Sequence, residues 1–96
     1  MEARRLRVPE EVARRVRGLH PDIKRKVRRA LQTVLDDPCA GKPLKEELAG
    51  LRSYRLGRLR IVYRLANDGN VDIVSVGPRR NIYEETYRRI RKQKEG

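Results

Sequence analysis

The spacing of apolar residues predicts two helices in the first half of the chain. Val12, Val16 and Leu19 recur at helical intervals after Pro9, a residue type that favours the first turn of a helix. A longer stripe with the same spacing follows the segment GLHPD, and the Asp-Asp-Pro sequence at 36–38 is expected to end it. The second stripe consists of Ile23, Val27, Ala30, Leu31, Val34 and Leu35. Together the two stripes predict a helical hairpin.

Alternation of polar and apolar residues predicts strands in the second half. The segments LRSYRL and GRLRIVYRLA alternate, and the segment NDGN at 67–70 is a hairpin-turn signal because Asn and Gly tolerate positive φ. VDIVSVG is then the returning strand. In the second segment one face carries Leu59, Ile61, Tyr63 and Leu65. The opposite face carries Arg58, Arg60, Val62 and Arg64.

The remaining segments complete the prediction of a single α+β domain over residues 1–96. Residues 6–8 suit a short first strand, KPLKEELAGL a loop or one helical turn, and the tail IYEETYRRIRKQKEG a short helix. We expect the helical hairpin to pack on one face of a small, mainly antiparallel sheet. The other face is expected to stay open and to display the arginines of the second strand.

The charge of the chain indicates the class of its partner. Lys and Arg number 25 against 13 Asp and Glu, for a net charge of +12, and arginine dominates. Because the planar guanidinium suits phosphate, this bias favours a nucleic acid, although an acidic protein would use the same field. A surface rich in ion pairs is the alternative. One cysteine, no apolar run long enough for a bilayer and no signal peptide predict a cytoplasmic protein without a membrane partner.

Candidate chemistry lies with arginine and tyrosine. A single His, a single Cys and the absence of metal-ligand spacing predict no metal and no cofactor. RNA can be cleaved without a metal because its own 2′-hydroxyl is the nucleophile. Arginines would stabilise the charged phosphorane, and a tyrosine beside arginines can move a proton or stack on a base. Arg79, Arg80 and Tyr83 follow Gly77-Pro78 directly, where a strand ends. Surface arginines and a tyrosine that packs the tail remain the alternative interpretation.

The order of these segments resembles the RelE/ParE superfamily of toxins from toxin–antitoxin pairs. The resemblance rests on LRSYRLGRLRIVYRL and on the ending Val-Gly-x-Arg-Arg-x-x-Tyr, and it spans nearly the whole chain. It implies a helical hairpin over a curved antiparallel sheet. RelE-type members cut mRNA in the ribosomal A site by 2′-hydroxyl attack, without a metal. By position, the resemblance implies catalytic roles for Arg60, Arg79 and Tyr83.

Four further arginines are expected to bind RNA or phosphate: Arg55, Arg58, Arg64 and Arg80. Arg55 matches a basic site of the family, whereas Gly57 stands where RelE-type active sites often carry a lysine. ParE-type members lack such basic residues and poison DNA gyrase instead. We therefore favour a ribosome-dependent endoribonuclease and keep two alternatives, a gyrase inhibitor and a non-catalytic RNA-binding module.

The resemblance also implies the partners. A cognate antitoxin is expected to neutralise the toxin through an acidic segment with an apolar stripe. The ribosome and mRNA are the expected targets. The charge of +12 would speed the encounter with the antitoxin at low salt, and it would give the toxin a salt-dependent affinity for ribosomal RNA.

Overall fold

The structure is a computed structural model that describes residues 4–95, with side chains up to residue 92. Its elements are β1 (Leu6–Arg7), α1 (Glu10–Arg17), α2 (Pro21–Asp36), β2 (Lys42–Pro43), β3 (Arg52–Leu56), β4 (Leu59–Leu65), β5 (Val71–Pro78) and α3 (Ile82–Glu95). A 3-10 turn at Glu46–Leu48 precedes β3. The helices α1 and α2, the 3-10 turn and the long strands β3, β4 and β5 lie where the sequence pattern predicted them. The strand β2 was not predicted.

The strands form one five-stranded sheet in the order β1-β5-β4-β3-β2. Only β1 runs parallel to its neighbour, and it pairs with β5 over two positions, Leu6 with Val71 and Arg7 with Asp72. The other three pairings are antiparallel. The prediction of an α+β fold with a mainly antiparallel sheet is therefore confirmed. Since β1 is so short, the outer edge of β5 has no neighbouring strand beyond residue 72.

The helical hairpin packs on one face of the sheet, as predicted. The core on this face consists of Val12, Ala30, Val34, Ile61, Tyr63, Val71, Ile73 and Val76. Each fully buried aliphatic side chain of this kind contributes roughly 1.5–3 kcal/mol relative to an exposed one. A register shift beside Val62 explains how Val76 and Ile73 reach the same core from positions of opposite parity.

Tyr63 anchors the loop after α2 to this core. Its hydroxyl donates to the Pro38 carbonyl at 2.6 Å and accepts from the Gly41 N–H at 2.8 Å. Burial raises the pKa of Tyr63, so the phenol remains a donor. A Cβ at Gly41 would lie 2.7 Å from the hydroxyl oxygen, which explains the glycine. Tyr63 is thus part of the core beneath the helical hairpin.

The second face of the sheet is not open, and this expectation from the sequence was wrong. The helix α3 crosses it, and Ile82 is fully buried with Leu51 and Val62. Thr86 and Ser75 form a buried hydrogen bond of 2.5 Å beneath the helix. The physical reason is that Val62 interrupts the arginines of β4, and this apolar position needs a cover. Part of the face nevertheless stays exposed beyond the first turn of α3.

No helix within residues 4–95 is both long enough and apolar enough to cross a membrane.

Candidate functional site

A tight turn joins β3 to β4 and sets the position of the first arginines. Leu56 pairs with Leu59, so Gly57 and Arg58 alone form the turn. Gly57 has a φ of 58°, in the left-handed region that glycine adopts without strain. A lysine there would find open space for its side chain but would strain the backbone. The turn therefore explains why Gly57 stands at this position, and it displays its positive charge from Arg58 instead.

Arg55 and Arg60 lie directly opposite each other on β3 and β4, and Arg60 in turn lies opposite Gly77 on β5. This row belongs to the same face as Val62, the face that α3 partly covers. Like charges that face each other across two strands are destabilising. A bound anion would relieve that repulsion.

The segment that follows β5 brings two more arginines to the same end of the sheet. The Arg79 N–H donates to the Arg58 carbonyl at 3.1 Å, which ties this segment to the β3–β4 turn. The side chains of Arg79 and Arg80 are exposed. We call the five residues Arg55, Arg58, Arg60, Arg79 and Arg80 the arginine end. Among the ion pairs of the described residues, none involves a member of the arginine end.

Tyr83 lies in the first turn of α3 and is half-buried. Its ring packs against the cluster that contains Val62 and Ile82. Its hydroxyl donates to the Ser53 hydroxyl at 3.2 Å. Ser53 is two residues before Arg55 on the same strand, so the phenol lies on the face that carries the arginine end. The structure thus brings Tyr83 to these arginines, and the residue also packs α3 against the sheet.

Arg64 is the predicted site residue that lies apart from the others. It is near the opposite end of β4, where its guanidinium pairs with Asp72 at 3.1 Å. Asp72 also binds Arg7, and Arg7 reaches Asp68 at 2.8 Å. We call Arg7, Arg64, Asp68 and Asp72 the paired end. Phosphate binding by Arg64 stays a prediction.

Two residues near the site were not foreseen from the sequence. Ser53, which accepts the hydrogen bond of Tyr83, is buried on the same face of β3 that carries Arg55. Arg15 on α1 reaches the end of β5 and the first turn of α3. Neither has a local sequence signal, because both contacts join segments that are far apart in the chain.

Within residues 4–95 no three or more His, Cys, Asp or Glu side chains lie together in a way that could hold a metal ion. The exposed cysteine, Cys39, is unpaired. The functional groups near this end of the sheet are the guanidinium groups of the arginine end, the Tyr83 phenol and the hydroxyl of Ser53.

A family model for the ParE toxin of type II toxin–antitoxin systems, parDE, matches residues 5–83. The chain belongs to this family. It is accordingly the toxin of a toxin–antitoxin pair within the RelE/ParE superfamily, and its partner is a cognate antitoxin. The match spans the hairpin, the sheet and the start of α3, and it ends at Tyr83.

Solved structures of RelE-type toxins share the fold. The toxin–antitoxin complex RelBE2 from Mycobacterium tuberculosis is 31% identical, with a TM-score of 0.71 over 81% of this chain and 100% of that one. The isolated RelE toxin of E. coli is 25% identical, with a TM-score of 0.68 over 92% and 99% of the two chains. The YoeB–YefM complex from Staphylococcus aureus, at 18% identity and a TM-score of 0.62 over 78% and 95%, supports the fold alone. No curated protein matches significantly.

Proposed function

We propose that this toxin is a ribosome-dependent endoribonuclease that cleaves mRNA in the A site by attack of the 2′-hydroxyl. The observation that carries the proposal is the arginine end, where the backbone brings five arginines to one end of the sheet and none has a carboxylate partner among the described residues. Such a cluster suits a chain of phosphates. A ribosomal target would place the protein in the cytoplasm.

The roles follow from the position of each group. Arg60 lies opposite Arg55 on the neighbouring strand, so the two residues present adjacent arginines to a phosphate that approaches this face of the sheet. Arg79 projects from the neighbouring segment. In the proposed reaction the 2′-oxygen bonds to phosphorus, the bond to the 5′-oxygen breaks, and a 2′,3′-cyclic phosphate forms. Arg60 and Arg79 stabilise the charge on the phosphorane, since preorganised donors act most strongly on developing charge.

Tyr83 is the group proposed to handle the proton. One proton leaves the 2′-hydroxyl and one must reach the departing 5′-oxygen. The phenol is held by the Ser53 hydroxyl at 3.2 Å, which fixes its direction on the face of the sheet. Arg55, Arg58 and Arg80 are proposed to hold the flanking phosphates. The antitoxin would oppose this site with an acidic segment that carries an apolar stripe.

Gyrase inhibition is the second candidate function. Two observations favour it: the matching family model is that of the ParE toxin, and the left-handed turn position at 57 is held by a glycine rather than by a basic residue. This alternative needs no cleavage pocket. In that case the arginine end would bind the enzyme or its DNA.

The decisive experiment is cleavage of mRNA on programmed ribosomes with an empty A site, mapped by primer extension. Wild type should cut within the A-site codon, and Arg60→Ala and Arg79→Ala should each reduce the rate by about 100-fold or more. Tyr83→Phe keeps the ring and tests the hydroxyl alone. Arg28→Ala is the matched control, because it removes an exposed arginine from α2 on the other side of the sheet.

Intact mRNA, together with inhibition of supercoiling by purified gyrase, would replace the proposed function with the second candidate. Equal cleavage by wild type and by folded Arg60→Ala and Arg79→Ala would reject the arginine end as the site. Circular dichroism of each variant establishes that it is folded.

A further inference from the structure

We infer that Arg15 is a positioning residue for the arginine end: its guanidinium fixes the segment between β5 and α3 and keeps the Glu85 carboxylate away from Arg79 and Arg80. Arg15 belongs to α1, on the opposite face of the sheet, and it does not belong to the arginine end. The effect on cleavage rests on the proposed function, whereas the effect on the segment does not.

One nitrogen of Arg15 makes both contacts. The Arg15 Nη1 donates to the Val76 carbonyl at 2.9 Å and to Glu85 Oε2 at 2.8 Å. Val76 is near the end of β5, and Glu85 is in the first turn of α3. The same nitrogen lies 3.1 Å from the point where a Cβ of Gly77 would be, so the glycine leaves room for it. A single guanidinium therefore joins both ends of the segment that carries Arg79, Arg80 and Tyr83.

Arg15 can reach past the outer edge of β5 because β1 is short. This short strand covers β5 only at Val71 and Asp72, so the Val76 carbonyl has no strand beside it. Arg15 takes the place of that missing strand. An unpaired carbonyl at a sheet edge would otherwise face water or invite another chain.

The segment itself has few other restraints. Residues 78–81 are exposed, and three backbone hydrogen bonds hold the region, from Arg79 to Arg58, from Asn81 to Pro78 and from Glu85 to Asn81. All three are local or reach a turn. The buried Ser75–Thr86 hydrogen bond and Ile82 hold α3 on the face of β5. Arg15 adds a restraint at the outer edge of β5, next to the exposed segment that carries Arg79 and Arg80.

The charge of Glu85 gives Arg15 a second effect. Glu85 is the carboxylate whose oxygen lies 3.8 Å from the Cβ position of Gly77, close to where the arginine end begins. Paired with Arg15, its charge is neutralised at the end of β5. Released, it is free to turn toward Arg79 or Arg80, which have no carboxylate partner among the described residues. Loss of Arg15 would thus loosen the segment, and the released Glu85 carboxylate would neutralise part of the positive charge of Arg79 and Arg80.

A second ion pair between the same two helices supplies the control. Arg89 on α3 pairs with Glu11 on α1 at 3.1 Å, and among the side-chain hydrogen bonds of the described residues it makes none to β5. Arg89→Gln removes one ion pair between α1 and α3, and it removes one positive charge, as Arg15→Gln does. Arg15→Gln removes the other ion pair. Comparison of the two separates positioning of the segment from general loosening of α3.

The first measurement is amide hydrogen exchange of the free toxin. Arg15→Gln should raise the exchange rates of Arg79, Asn81 and Glu85 by about tenfold, because a partly buried ion pair and a hydrogen bond to β5 are lost together. Arg89→Gln should change them by less than about twofold. Equal effects of the two variants, or no effect of Arg15→Gln, would overturn the inference whatever the toxin does on ribosomes. Arg15→Lys should restore part of the protection.

The second measurement separates geometry from charge. On programmed ribosomes Arg15→Gln should lower kcat by about tenfold with little change in KM, while Arg89→Gln leaves both as in wild type. Binding of a single-stranded RNA oligonucleotide should weaken in Arg15→Gln and recover in the double variant Arg15→Gln/Glu85→Gln. No recovery would overturn the part of the inference that concerns Glu85. If wild type itself does not cleave, the proposed function fails, and hydrogen exchange and RNA binding still decide the role of Arg15.

Discussion

Both ends of the sheet carry arginines, and β4 contributes one to each end, yet only one end leaves its arginines without carboxylate partners among the described residues. At the paired end, Arg7 and Arg64 surround Asp72, and Asp68 completes the group. At the arginine end, no described carboxylate pairs with any of the five guanidinium groups. Net charge alone cannot separate the two regions. What distinguishes them is the placement of a few acids by the register of β5.

This difference has a cost that points to function. Paired arginines hold β1 against β5 and contribute to folding, whereas Arg55 facing Arg60 works against it. A protein that retains such a repulsive row at one end, and compensates charge at the other, has a surface suited to an external anion. The substitutions below break or sharpen this comparison.

The largest effect is expected from placing an acid in the arginine end. Arg55→Asp puts a carboxylate directly opposite Arg60, which removes one guanidinium and neutralises another. Binding of a single-stranded RNA oligonucleotide should weaken by about 10- to 100-fold, and the slope of log K against log salt should fall by about 1.4. Fluorescence anisotropy at several salt concentrations measures both.

Folding should respond in the opposite direction. Replacing a like-charge pair with an opposite-charge pair should leave the free energy of unfolding unchanged or raise it by about 0.2–1 kcal/mol. RNA binding as tight as in wild type, from this folded variant, would show that the arginine end does not bind the phosphates.

The reverse change is to remove the acid of the paired end. Asp72→Asn leaves Arg7 and Arg64 without their shared carboxylate, in a position only 21% exposed. The free energy of unfolding should fall by about 1–2 kcal/mol, measured by urea denaturation, because a charge-assisted network is lost. RNA affinity should rise by up to about fivefold as Arg64 becomes available. Unchanged stability would mean that the pairs of this end do not hold β1.

Smaller effects on stability and RNA binding should distinguish Arg60 from Arg64, which both lie on β4. Arg64→Ala should cost about 0.2–1 kcal/mol of stability, as for other exposed pairs, and should leave the salt dependence of RNA binding unaltered. Arg60→Ala should do the converse: it should lower the slope of log K against log salt by about 0.7 with no loss of stability. Equal slopes for the two variants would remove the distinction between the two ends.

The sequence predicted most of the fold because each element buries one face of its own. The stripe around Val27 and Val34 and the alternation of Ile61 and Tyr63 are local patterns, and the structure confirms both. The cover on the second face was missed because α3 is rich in charge and because a single valine, Val62, lies among the arginines of β4. The residues that pack on Val62 are Ile82, from the tail of the chain, and Leu51, from the segment before β3.

The candidate site was predictable only in part. Arg60 and Arg64 have the same parity on β4, so alternation places them on one face and cannot assign a partner to either. The partner of Arg64 is fixed by the pairing of β4 with β5, including a register shift. The contact of Arg15 depends on the shortness of β1. Both are properties of the assembled sheet.

The smallest effect is a dependence of stability on pH that belongs to the paired end alone. The pKa of Asp68 is lowered from its ordinary value of 3.8. The chief cause is the hydrogen bond that its carboxylate accepts from the Asn70 N–H, and the ion pair with Arg7 lowers the pKa further. A lowered pKa means that, as the pH falls, the unfolded chain takes up this proton before the folded protein does. The stabilisation is therefore complete above about pH 5 and is lost as the pH falls through the folded-state pKa of Asp68.

Asp68→Asn should flatten this part of the curve of unfolding free energy against pH. Glu47→Gln, an exposed carboxylate of the 3-10 turn, should retain the curve of wild type. Identical curves for Asp68→Asn and wild type would show that the Asn70 and Arg7 contacts do not stabilise this end, and the contrast between the two ends would then rest on Asp72 alone.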